Sequence, residues 1–276
     1  MIVRPHEIPV QQVHALLLGA VSPRPIAFVS SMDKEGRVNL SPFSFFNVFS
    51  ANPPILIFSP ARKGRDGTVK DTFLNVTEIP EAVINVVNFS IVHQASLASA
   101  EYPRGINEFE KAGLTAVPSK VVRPPRVAES PVNLECRINQ VIELGKSGGA
   151  GNLVICEVLL MHIKDEILGE DGKIDPFKAD AVARMGGDWY CRANGAALFR
   201  LPQPGNRLGI GFDQLPEAIR NSKILTGNDL ARLAGAEAVP AKVQGRTFSA
   251  ETAKHLKAKE LLEKGEVEKA WEALAD

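Results

Sequence analysis

The sequence is poor in cysteine and carries no surplus of charge, and both absences narrow what it can be. Only Cys136, Cys156 and Cys191 occur in 276 residues, too few and too scattered for a disulfide framework, and no two are spaced as Cys-x-x-Cys. A reducing, cytoplasmic setting is the expectation. Lys and Arg together number 32 and so do Asp and Glu, which leaves no long-range field to recruit a polyanion or an anionic membrane. Neither nucleic acid nor a membrane is expected as a partner. No apolar run reaches the length that crosses a bilayer. The stretch 13–21 imitates a signal peptide, with Ala20-Val21-Ser22 at the cleavage position, but Glu7 precedes it, His14 interrupts it and Pro23 follows the cut. Val13, Leu16, Leu17 and Ala20 fall at helical spacing and predict one face of a short amphipathic helix.

Several chemical signatures are missing too. No Gly-x-Gly-x-x-Gly follows a strand pattern, and 64–70 lacks the spacing and the Lys-Ser/Thr ending of a P-loop, so a nucleotide would have to be held another way. The five histidines, His6, His14, His93, His162 and His255, stand apart from cysteine and carboxylate clusters, so no metal is expected and they read as surface or packing residues. Gly145-Lys146-Ser147-Gly148-Gly149 matches Gly-x-Ser-x-Gly, yet it lies between two strand patterns, whereas a nucleophile elbow needs a strand leading into a helix. It predicts a hairpin loop.

What is present is a core and an ordered set of short elements. Apolar residues make up 45% and charged residues 23%, so the chain has the material to fold. Ile26, Phe28 and Ser30 alternate with Ala27, Val29 and Ser31, a half-buried strand. The turn Asp33-Lys34-Glu35-Gly36 follows, with Gly36 free to take positive φ, and a second strand runs from Arg37 towards Phe46. After Asn52-Pro53-Pro54, the unbroken apolar run 55–58 predicts a strand buried on both faces. Thr68-Val69-Lys70-Asp71 has capping-box form; Val69, Thr72, Phe73 and Val76 mark the helix it opens, and Pro80 closes it. A strand at 83–87, helices at 90–100 and 107–112, and a long hairpin from 133–144 to 153–163 complete the pattern. Five or six strands with short helical inserts predict an antiparallel α+β barrel. Leu201-Pro202-Gln203-Pro204-Gly205 reads as a linker, dividing residues 1–204 from a helical extension at 205–276. There Val267, Ala270, Trp271 and Leu274 form an apolar stripe, and Gly265 splits 249–276 into two helices. The extension reads as a cap, a dimerisation arm or a partner arm; it resembles one helical-repeat unit, but no second copy follows.

Several fragments occur together in a fixed order: Ser22-Pro23-Arg24-Pro25-Ile26-Ala27-Phe28-Val29-Ser30, the run 38–47, Pro53-Pro54 with the strand to Ser59, and Lys70-Asp71-Thr72 with Asn75. They continue with Gly105, Glu108-Phe109, Ala112-Gly113-Leu114-Thr115, Glu135-Cys136-Arg137, the run 151–155 and Gly186-Gly187-Asp188-Trp189-Tyr190. In this order they resemble the flavin reductase-like, FMN-binding split-barrel family over roughly residues 20–200. The resemblance implies a split β-barrel holding FMN without a covalent bond. It gives Ser44, Phe46 and Asn47 contacts with the flavin ring, although at least two of Phe43, Phe45 and Phe46 read rather as barrel core. Ser59, Arg62, Lys70, Asp71 and Thr72 form a phosphate site at the start of a helix, where free N–H groups and the dipole favour an anion; Asp71 is as readily a simple cap. Arg24, stiffened by prolines on both sides, borders the flavin or forms a surface salt bridge. Trp189 approaches the flavin, or packs an interface. Shorter flavin reductases carry Gly-Asp-His where this chain has Ala150-Gly151-Asn152, which leaves the nicotinamide contact of that histidine without a counterpart.

The function expected from the resemblance is a homodimeric, FMN-dependent oxidoreductase that accepts hydride from NAD(P)H and passes electrons to free flavin, a quinone or a protein partner such as a monooxygenase. Two alternatives share the barrel: a non-enzymatic FMN-binding or redox-sensing module, and a pyridoxamine phosphate oxidase-like enzyme.

Overall fold

A computed structural model describes all 276 residues, and the chain divides into two compact units, Met1–Phe199 and Arg200–Asp276. In the first unit, seven strands form one antiparallel sheet: β1 (Ala27–Met32), β2 (Val38–Phe43), β3 (Phe46–Ala51), β4 (Pro54–Phe58), β5 (Glu81–Val86), β8 (Val132–Glu143) and β9 (Asn152–Ile163). A two-strand ribbon, β6 (Ala116–Val117) with β7 (Arg126–Val127), lies between β5 and β8 in sequence, and β10 (Val182–Arg184) pairs with β11 (Tyr190–Arg192).

The sheet order is β2-β1-β5-β8-β9-β4-β3, so two strands consecutive in the chain occupy opposite edges. Laid flat, six gaps of ~4.8 Å would hold those edges about 29 Å apart. The link between them is only Ser44-Phe45, which reaches about 11 Å at most from Phe43 to Phe46. The sheet therefore curls until its edges meet, and bulges in β8 and β3 assist the bend. No ladder joins β2 to β3; the barrel is split along that seam. The single strand expected from Arg37 towards Phe46 thus ends at Phe43, and its last residue, Phe46, opens a separate strand, β3, on the other edge.

Inside the barrel, Ala27, Val29, Phe43, Leu56, Phe58, Ile84, Cys136 and Val154 share one core. Outside it, α2 (Asp71–Glu78), α3 (Val92–Leu97) and α4 (Glu108–Ala112) cover β1 and β2, and Phe28, Leu40 and Phe109 belong to a second core there. This corrects the reading of β1 as half-buried: both its faces are covered. The opposite correction applies to β4, whose Leu56 and Phe58 are buried while Ile55 and Ile57 are half-buried, because its other face has no helix packed on it. Helix α1 (Val10–Ala20) buries no residue, and Leu16 and Leu17 of its expected apolar face lie exposed. The glycine-rich match at 145–149 sits in the β8–β9 hairpin. No helix is long and apolar enough to cross a membrane. The short α5 (Pro176–Ala179) precedes β10.

The second unit contains α6 (Glu217–Arg220), α7 (Gly227–Ala234), α8 (Thr252–Glu263) and α9 (Val267–Leu274). Its own core gathers Leu215, Ile219, Leu233, Leu262, Trp271 and Leu274. Gly265, at φ 78°, separates α8 from α9. A capping box starts α7, where Thr226 and Asp229 exchange side-chain-to-backbone bonds. His255 is buried here, its Nδ1 2.6 Å from Ser222 Oγ and its Nε2 2.8 Å from the Ser249 carbonyl, so it is a core connector rather than a surface residue.

Candidate functional site at the barrel seam

A cavity of about 420 Å³ opens where the two sheet edges meet, a size suited to a nucleotide-like ligand. The crossing supplies one wall, Ser41-Pro42-Phe43-Ser44-Phe45, with Ser59 and Ala61 after β4 beside it. Two hydrogen bonds hold this wall. The Ser59 N–H donates to the Phe45 carbonyl at 2.9 Å, and Ser59 Oγ accepts from the Asn152 N–H at 3.0 Å. Asn152 is fully buried and also donates from Nδ2 to the Pro60 carbonyl at 2.7 Å. Asn152 therefore braces the wall through Ser59 and Pro60. Gly151 is needed there, since a Cβ would come within 2.9 Å of Ser59 Oγ.

Arg24 forms the second wall. It is 5% exposed, and its guanidinium donates to the carbonyls of Leu18, Val21 and Met185 at 2.5, 2.8 and 2.9 Å. It makes no salt bridge; instead it ties the end of α1 to β10, and its Nε has no partner. Burial, and next the neighbouring Arg184, lower this guanidinium from its ordinary pKa. Arg184 lies over the Tyr190 ring at 4.7 Å and donates to its hydroxyl at 2.8 Å. His14, from α1, stands edge-on to Phe45.

The third wall is the start of α2. Lys70 occupies the N-cap position in extended conformation and makes no side-chain cap. The N–H groups of Phe73 and Leu74 turn back to the Lys70 carbonyl, whereas those of Asp71 and Thr72 have no partner. The capping box expected at Thr68 does not form, because the Thr68 hydroxyl and N–H both bond Asp66. Thr72 is buried and its hydroxyl donates to Asn39 Oδ1 at 2.7 Å. Asn39 in turn donates to Glu108, whose carboxyl also accepts from the Leu40 N–H; burial, the largest influence, raises the pKa of Glu108. Asn39 and Phe43, which pairs with Ala27, are four residues apart on β2. Lys70 and Arg24 both line the cleft, one reached through Asn39 and the other from the strand beside Phe43.

No carboxylate lines this cavity, although Arg24, Lys70 and Arg184 all do. Of the residues singled out from sequence, Arg24, Ser44, Ser59 and Lys70 reach it, and Asp71 and Thr72 line a smaller adjoining recess. The structure does not bring the others in. Phe46 packs on the barrel core. Asn47 is exposed on the edge strand, its Oδ1 accepting from the Val48 N–H. Arg62 is paired with Glu143 at 2.6 Å and with the Gly67 carbonyl. Trp189 is 78% exposed, and its neighbour Tyr190 lines the cavity instead. Sequence reasoning passed over His14, Ser96, Ser99 and Arg184; only an apolar helix interrupted by His14 offered a signal.

The first unit is thus a split antiparallel barrel with a cationic, hydroxyl-lined cleft at its seam. The sequence profile of the flavin reductase like domain matches residues 18–177, and the chain belongs to that family. An uncharacterized protein of Halalkalibacterium halodurans is 42% identical over 192 residues, covering 69% of this chain and 91% of its own. One of Aquifex aeolicus is 38% identical over 189 residues, covering 68% and 94%. Among solved structures, nitrilotriacetate monooxygenase component B from Bacillus cereus is similar at TM-score 0.68 and 32% identity, covering 73% of this chain and 98% of that one. Pseudomonas fluorescens 2-nitrobenzoate 2-nitroreductase is similar at TM-score 0.63 and 27% identity, covering 74% and 97%.

Proposed function

We propose that the chain is an FMN-dependent oxidoreductase whose seam cavity holds the flavin non-covalently. The observation that carries this is a cavity lined by three cations and no carboxylate, continued by a recess at the uncapped start of α2 where Lys63 and Lys70 stand among Asp71, Glu101 and Glu108. Lys70 and the free N–H groups of Asp71 and Thr72 match a phosphate. The hydroxyls of Ser41, Ser44 and Ser59 suit a polyol chain and a polar ring edge, while Phe43, Phe45, Pro42 and Val92 offer apolar surface to ring faces. The unpartnered Nε of Arg24 is a buried donor that an acceptor on the ligand would satisfy. When bound, FMN supplies a ring that accepts hydride from NADH or NADPH and passes electrons to free flavin, a quinone or a protein partner. The residues need only hold and orient the ligands and exclude water, in keeping with the lack of an acid–base pair in the cleft.

We also infer a homodimer. Val48 and Phe49, 66% and 62% exposed on the edge strand β3, and Leu16 and Leu17 on α1 leave apolar surface that a second copy would cover.

The test is direct. Purified protein should be yellow, release FMN rather than FAD on denaturation, and bleach anaerobically with NADH or NADPH. Colourless protein that ignores added FMN overturns the proposal. Bound FMN that neither nicotinamide reduces would favour a flavin-binding or redox-sensing module.

A further inference from the structure

At the Lys70 end of the cleft, one carboxylate lies within ion-pair range of three cations, of which Arg65 also pairs with Asp66 at 3.1 Å. Glu101, in the loop between α3 and α4, lies 3.1 Å from Arg65, 3.6 Å from Lys63 and 4.0 Å from Lys70. The recess that adjoins the main cavity shares Ser41, Lys70 and Ser99 with it and is lined by Lys63 and three carboxylates, of which Asp71 pairs with Arg104, Glu108 bonds Asn39 and the Leu40 N–H, and Glu101 faces the cations. Three residues further along, Arg104 reaches Asp71 at 3.5 Å and Asp33 at 3.7 Å. The loop is thus anchored to α2 at one point and lays a negative charge over the cations at another. Glu101 itself is half-exposed and makes no hydrogen bond beyond these pairs, so nothing but the cations holds its carboxylate in place.

We propose that Glu101 is an internal stand-in for the ligand's phosphate, competing for Lys70, Lys63 and Arg65 and so setting how readily a phosphorylated flavin leaves the site. The inference rests on the flavin reading above. An incoming phosphate dianion needs the same cations and meets Glu101 as a like charge, so Glu101 must turn outward to admit it. The carboxylate lowers phosphate affinity and leaves affinity for the ring untouched. It thereby places this chain among proteins that exchange flavin rather than retain it.

Titration of the full-length protein with FMN and with riboflavin, followed by flavin fluorescence, separates the phosphate from the ring. Glu101→Gln should bind FMN about fivefold or more tightly than wild type, with riboflavin unchanged. Glu101→Lys should extend the effect, and the gain should shrink as salt rises towards ~0.5 M. Equal effects on both flavins, or no tightening of FMN in either variant, overturns the inference. A wild-type protein that takes neither flavin would instead sink the flavin reading, and this inference with it.

Discussion

At the scale of single residues, the most heavily engaged side chain lies away from the cleft. Glu135 is fully buried, and its carboxylate accepts from the N–H groups of Lys120, Val121 and Val122 and from His162 Nε2 at 2.6 Å, with Arg126 at 4.0 Å. Burial alone would raise its pKa, but the Lys120 and Val121 donors, with His162, outweigh it and hold the carboxyl below its ordinary 4.5. A carboxyl held low in the folded state stabilises the protein above the unfolded value and loses that contribution as pH falls through the folded one. Glu135→Gln turns an amide N–H towards a row of N–H donors. It should cost about 2–4 kcal/mol at pH 7 in urea denaturation, and the gap to wild type should narrow below pH 4.5. A gap independent of pH would show that the charge is irrelevant. The buried thiols behave differently: burial pushes Cys136 up to about 12 and Cys156 well above its ordinary value, which makes them poor nucleophiles.

At the scale of elements, the start of α2 matters more than its length. Lys70→Gln should weaken FMN about tenfold while sparing riboflavin, read by the same fluorescence titration; an equal loss for both flavins would place Lys70 at the ring. Periodicity revealed most elements because strand and helix spacing are local properties: the β8–β9 hairpin, the helix closed by Pro80 and the break at Gly265 were all legible. The seam was not. Nothing local in Ser44-Phe45 tells that the next residue joins the opposite edge of the sheet, so the second strand was read on to Phe46 and β3 was missed. The helix start was misplaced for a similar reason, since Thr68 meets Asp66 rather than the helix. In the cleft, the cationic residues Arg24 and Lys70 were legible through the family's motif order. Tyr190 belonged to that order too, whereas Arg184 was not singled out, because it arrives on β10 from 114 residues beyond Lys70 and 160 beyond Arg24.

At the scale of the whole molecule, two units with separate cores imply two separable foldings. A chain ending at Phe199 should keep the flavin and a cooperative melt, judged by absorbance and circular dichroism. Lost colour in a folded fragment would move part of the site beyond residue 199. We assign residues 200–276 the part of a cap, dimerisation arm or partner arm. The seam has one more effect. A sheet whose margins are tethered by two residues but not laddered can breathe along that meridian, and whatever lodges there bolts the margins together. Deuterium uptake across 38–51 should therefore fall when the ligand binds, whereas the amides of β5 and β8, in the middle of the sheet, should exchange at their former pace.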